Sequence, residues 1–74
     1  MVVAFVLALV ETGREHQAAE EALKVQHVVE ATITYGTWDL VIKVSTDTLN
    51  ELDMIITEIR TISLIQQTET LIGI

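Results

Sequence analysis

The chain has 74 residues and no cysteine, which implies one domain with a thin core and excludes disulfides, thiolate metal sites and thiol nucleophiles. Half of the residues are hydrophobic, with no proline and three glycines, which excludes a disordered segment and leaves burial between copies as the remaining source of stability. Eleven acids face only four scattered bases, Arg14, Lys24, Lys43 and Arg60, for a net charge of −7. Nucleic acid and anionic membrane surfaces are therefore excluded as direct partners, because both are held by clustered Lys and Arg.

The first predicted element is Val2 to Val10. It is apolar on both parities, as in a strand covered on two faces, and too short to span a bilayer. Thr12-Gly13-Arg14-Glu15 then has the spacing of a Thr-x-x-Glu capping box, which predicts a helix to about Val25. Its inward stripe is Ala18, Ala19, Ala22 and Leu23, with Glu15, Gln17, Glu20, Glu21 and Lys24 toward water. Val28 to Tyr35 alternates and is rich in β-branched residues, so it reads as a strand, as does Asp39 to Ser45. A second helix is expected over about Asp47 to Arg60, with Thr46, Asp47 or Thr48 as its cap and the capping-box spacing repeated at Thr48 to Glu51. Its stripe of Leu49, Leu52, Ile55, Ile56, Ile59 and Ile62 runs at steps of three and four, with Met54 on its shoulder. Leu64 to Ile72 is the last strand. The order β-α-β-β-α-β is that of a ferredoxin-like α+β sandwich, a four-stranded antiparallel sheet with two helices on one face. Short right-handed crossovers make the first and third strands central and the second and fourth edges. No linker, repeat or low-complexity stretch divides residues 1–74.

A two-residue Gly36-Thr37 turn would set Tyr35 opposite Trp38, Ile33 opposite Leu40, Ala31 opposite Ile42 and Val29 opposite Val44 on one face. The other face would pair Thr34 with Asp39, Thr32 with Val41 and Glu30 with Lys43. A three-residue turn mixes polar and apolar residues on both faces, so the first register is favoured. It puts Asp39 on the face away from the helices, where alternate members of Val2 to Val10 also lie. Left uncovered, that face would invite aggregation, so a second copy is expected to cover it, sheet against sheet.

The tip Thr34-Tyr35-Gly36-Thr37-Trp38-Asp39 is similar to a Gly-x-aromatic-Asp hairpin, and Thr68-Glu69-Thr70-Leu71-Ile72 to a closing Thr-x-Thr strand. With the element order, these make nearly the whole chain resemble the ligand-binding (RAM) domain of the Lrp/AsnC family of transcription regulators. The resemblance implies homodimers formed through the sheets, assembly into rings that are commonly octamers, and free amino acids bound between dimers against the tip. It also implies cytoplasmic work in transcription regulation. Full-length members carry an N-terminal helix-turn-helix not found in this sequence, so the expectation is a stand-alone sensor acting indirectly, in part by mixing with full-length regulators. One departure is Ser63-Leu64, where the family often has Pro-Gly.

The residue chemistry agrees with such a ligand. A zwitterion needs a carboxylate for its ammonium group and N–H or hydroxyl donors for its carboxylate. Asp39 supplies the first; the Gly36-Thr37 backbone with Thr68 or Thr70 supplies the second; Trp38 or Tyr35 closes over the side chain. The plainer alternative makes Asp39 a solvated strand-start residue, Tyr35 and Trp38 a hairpin clasp, and Thr68 and Thr70 ordinary strand residues. His16 and His27 have no ligand-spaced partner, and no Ser or Thr has a paired base, so no metal, cofactor or catalysis is expected. Two other functions fit the fold class: an ACT-type small-molecule module, whose ligand near the first loop and helix finds no anchor in Glu11 to Arg14, and a small dimeric enzyme, whose roomy cavity with a base inside is opposed by the Ala and Ile stripes.

Overall fold

The computed structural model describes residues 1–73. The elements follow the expected order: β1 (Val2–Val10), α1 (Glu15–Leu23), β2 (Val28–Ile33), β3 (Leu40–Thr46), α2 (Leu49–Arg60) and β4 (Ile65–Ile72). They form one antiparallel sheet ordered β2-β3-β1-β4, with β1 and β3 central as expected.

Alternation decides which face is covered. Ala4, Val6, Ala8 and Val10 of β1 and Leu40, Ile42 and Val44 of β3 are buried together with Ala18 and Ala22 of α1 and Leu52, Ile55 and Ile59 of α2. Both helices therefore lie on one face, α1 over β2 and β3, α2 over β3, β1 and β4. The opposite face carries an apolar stripe along β1, Val3, Phe5, Leu7 and Leu9. Ser45, Lys43 and Val41 of β3 flank it on one side, and Leu71, Glu69 and Gln67 of β4 on the other.

Three local expectations are corrected. The first is the cap of α1. Its N-cap is Arg14, with no side-chain cap, and the Glu15 carboxylate accepts only from the Gly13 N–H, at 3.3 Å. Gly13, at φ +84°, turns the chain so that Glu15 falls at the first helical position rather than the third. The helix also ends at Leu23, which is 50% exposed, while Val25 is buried. The Lys24 and Val25 N–H groups donate to Glu21 and Ala22, three residues back; this tighter final turn swings Val25 inward in place of Leu23. On α2 the Thr48 cap forms: its hydroxyl accepts from the Glu51 N–H at 3.1 Å, while the Glu51 carboxylate reaches one residue past the N-cap to accept from the Asp47 N–H at 3.0 Å. Its buried stripe is narrower than expected, since Leu49 is exposed.

The second correction is the entry to the hairpin. The expected register holds from Glu30–Lys43 to Ile33–Leu40, but Val28, not Val29, faces Val44. Val29 is the extra residue of a β-bulge. The bulge follows His27, which lies in the left-handed region (φ +73°), and whose carbonyl accepts from the Ser45 N–H.

The third is the tip. Strand pairing stops at Ile33 and Leu40, leaving Thr34 to Asp39 as a wider loop instead of a two-residue turn. The loop is closed by the Thr34 N–H donating to the Asp39 carbonyl at 3.0 Å and the Thr34 hydroxyl donating to the Trp38 carbonyl at 2.7 Å. Tyr35 consequently stands fully exposed rather than packed against Trp38, which is half-buried.

Candidate functional site

Asp39 ties the hairpin tip to the central strand. Its N–H donates to the Ala8 carbonyl at 3.0 Å, and its Oδ2 accepts from the Val10 N–H at 2.9 Å. Pairing of β3 with β1 ends at Leu40–Ala8, so the carboxylate stands in for a backbone carbonyl that no neighbouring strand supplies. Asp39 is half-buried rather than a solvated strand-start residue. The other oxygen, Oδ1, makes no hydrogen bond among the described residues. Asp39 lines a groove of about 390 Å³ together with Glu15 and His16 of α1, Ile33, Thr34, Tyr35 and Gly36.

The six expected site residues do not come together within one chain. Gly36 and Asp39 line this tip groove. Thr37 is exposed, and neither it nor Trp38 is part of the groove wall. Thr68 and Thr70 lie on the helix side of β4, opposite Ala8 and Val6. They line a second groove, of about 480 Å³, with Ile56 and Arg60 of α2 and Ile65, Gln66 and Gln67 of β4. A bulge in β4 against Leu9 and Val10 makes Gln66 an extra residue, and Gln66 and Gln67 both border this groove at the sheet edge. The two grooves share no residue.

Their electrostatics are opposite. The tip groove holds two carboxylates, Glu15 and Asp39, beside His16, whereas the edge groove holds one guanidinium and no acid. Among the described residues no group of three or more His, Asp or Glu side chains is placed to hold a metal ion. No helix among them is long and apolar enough to cross a membrane.

Sequence reasoning missed Glu15, His16 and Thr34 at the tip, and Ile56, Arg60 and the two glutamines at the edge. Ile56 and Arg60 carried a usable signal, since four residues apart they share one flank of α2. His16 carried none, because its place beside the tip depends on how α1 as a whole sits against the sheet. At Ser63-Leu64, Leu64 is buried and its carbonyl accepts from the Glu11 N–H at 3.0 Å, which fixes the turn into β4.

Residues 3–74 match the family model described as the Lrp/AsnC ligand binding domain. The chain is similar to the crystal structure of hypothetical protein PHS023 from Pyrococcus horikoshii, with 47% identity, 100% of this chain and 90% of that chain covered, and a TM-score of 0.93. The crystal structure of FFRP-DM1 is also 47% identical, with both chains covered in full and a TM-score of 0.92. E. coli AsnC is 32% identical over 99% of this chain and 50% of that chain, with a TM-score of 0.81. Among curated proteins no match was found.

Proposed function

This chain belongs to the Lrp/AsnC ligand-binding domain family, a regulatory ligand-binding module, and we propose that its ligand is a free amino acid held between copies of the chain. One observation carries the reading: the tip and the last strand contribute to separate grooves that share no wall, so a ligand touching both bridges two copies. Asp39 uses Oδ2 on the Val10 N–H, which fixes the carboxylate, and keeps Oδ1 for an ammonium group. Thr68 and Thr70 of another copy, with the Gly36-Thr37 backbone, serve the ligand carboxylate, and Tyr35 or Trp38 closes over its side chain.

The apolar stripe Val3, Phe5, Leu7 and Leu9 supports a dimer packed sheet against sheet, about 10 Å apart. Tip and edge grooves are different surfaces, so their contact is heterologous, the kind that builds a ring where the rotation closes, and the assembly proposed is such a ring, with an octamer as the expected size. Such a module regulates transcription through its assembly, including mixed assembly with full-length regulators in the cytoplasm, and no catalysis is proposed for it.

The test is a thermal-shift panel of the twenty amino acids on wild type, Asp39→Asn and Asp39→Ala. Ligand at about 100 times its dissociation constant adds roughly 2.7 kcal/mol, a readable shift at this size. Asp39→Asn keeps an acceptor for the Val10 N–H but no charge, so it should retain most of the stability and lose the hits. Asp39→Ala should lose the hits and about 1–3 kcal/mol of stability, because the Val10 N–H loses its partner. No hits on wild type would reject an amino-acid ligand; hits kept by Asp39→Asn would reject Asp39 as the ammonium site. Light scattering with and without a hit should show a change in assembly, and an unchanged dimer would count against a site between dimers.

A further inference from the structure

We infer that the edge groove between β4 and the last turn of α2 is a carboxylate site anchored by the Arg60 guanidinium. This deepens the amino-acid reading and rests on it only for the ammonium half of the ligand. Nothing in the Thr-x-Thr pattern pointed to Arg60; its place in the groove does.

The charge distribution comes first. Only four bases occur in a chain of net charge −7, and one of them faces a groove whose wall contains no acid. Among the described residues Arg60 makes no ion pair, the one such contact being His27 with Glu51. Its five N–H donors, set in a planar fork, match a carboxylate in two-point contact.

The rest of the wall completes the site. Thr68 and Thr70 place two hydroxyls on the same side of β4, two residues apart. As an edge strand, β4 also leaves every second backbone N–H without a strand partner on the groove side. Ile56 and Ile65 are the two apolar residues of an otherwise polar wall. The ligand class is therefore a small carboxylic acid.

The position of Arg60 also explains why the site should depend on this one side chain. It occupies the last turn of α2, where the partial charge of the helix end favours a cation. It is also the one cation in the groove wall, so neutralising it should remove most of the carboxylate response.

The probe is sodium isovalerate, a carboxylate without an ammonium group, titrated against sodium chloride at equal ionic strength into the ¹⁵N-labelled chain. Saturating shifts are expected at the Arg60 side-chain Nε–H and at the Thr68 and Thr70 amides. Arg60→Gln should remove the response, and Arg60→Lys, which keeps the charge and loses the fork, should weaken it about tenfold or more. Arg60 is exposed, so both variants should fold, as an unchanged amide spectrum elsewhere will verify. No saturation by roughly tens of millimolar, or the same response in Arg60→Gln, overturns the site. Isovalerate binding at Arg60 with no amino-acid hit in the thermal panel would keep this site and reject the amino-acid reading. An amino acid bound equally by wild type and Arg60→Gln would do the reverse.

Discussion

Thr12-Gly13-Arg14-Glu15 and Thr48-Leu49-Asn50-Glu51 share the Thr-x-x-Glu spacing, yet only the second caps a helix. Thr48 has an extended backbone, φ −135° and ψ 160°, which lets its hydroxyl face back into the first turn. At the first segment Gly13 is in the left-handed region and the Arg14 N–H donates to the Glu11 carbonyl, so a turn occupies the place of the cap. The helices differ in packing as well. α1 is held by Ala18 and Ala22, which let it sit close to the sheet, and α2 by Leu52, Ile55 and Ile59, which fill space above it. One helix thus depends on small volume and the other on bulk and a cap.

Removing bulk from α2 should give the largest effect. Ile59 is fully buried, and Ile59→Ala should cost about 2–5 kcal/mol through lost transfer energy and the cavity left behind. In urea, at fixed protein concentration so that assembly contributes equally, its midpoint should fall farther than that of any surface variant. Adding bulk to α1 should come next. Ala22→Leu forces a larger side chain between helix and sheet and should cost about 1–3 kcal/mol. If Ala22→Leu were neutral, the close approach of α1 would not be a packing constraint, and the contrast between the helices would fail on that side.

What sequence reading recovered follows the same line between repeating pattern and single tie. The β2–β3 register was legible because sliding by one residue would exchange the two faces, and only one register kept Ala31 and Ile42 together and Glu30 with Lys43. Element order, sheet order and the α2 stripe come from the same kind of repetition. The bulges at Val29 and Gln66 were not legible, since an extra residue leaves alternation intact on either side of it. Nor was the tip. A hairpin considered by itself favours a tight turn at Gly36-Thr37, but the Asp39 carboxylate bonds to Val10, 29 residues away on a third strand, and the loop opens to allow it. The candidate site divided likewise. Asp39 stood out as an acid in an apolar run and Arg60 shares a flank of α2 with Ile56, while His16 joins its groove only through the placement of a whole helix.

The two caps give the finest test of the comparison. Thr48→Ala removes the acceptor for the Glu51 N–H and should cost about 1 kcal/mol, within the usual range of 0.5–2. Thr12→Ala removes a residue of the same type at the same spacing, but from an exposed turn where its side chain caps nothing, and should stay within about 0.5 kcal/mol of wild type. Glu51 sharpens the contrast, because its carboxylate holds the Asp47 N–H and lies 3.7 Å from His27. Thr48→Ala combined with Glu51→Ala should therefore cost other than the sum of the two, as neighbours sharing one helix start. Thr12→Ala combined with Glu15→Ala should be additive, since no reciprocal pair exists there to break. Equal losses for Thr48→Ala and Thr12→Ala in urea denaturation would mean that spacing, rather than the backbone set by Gly13, governs how these helices begin.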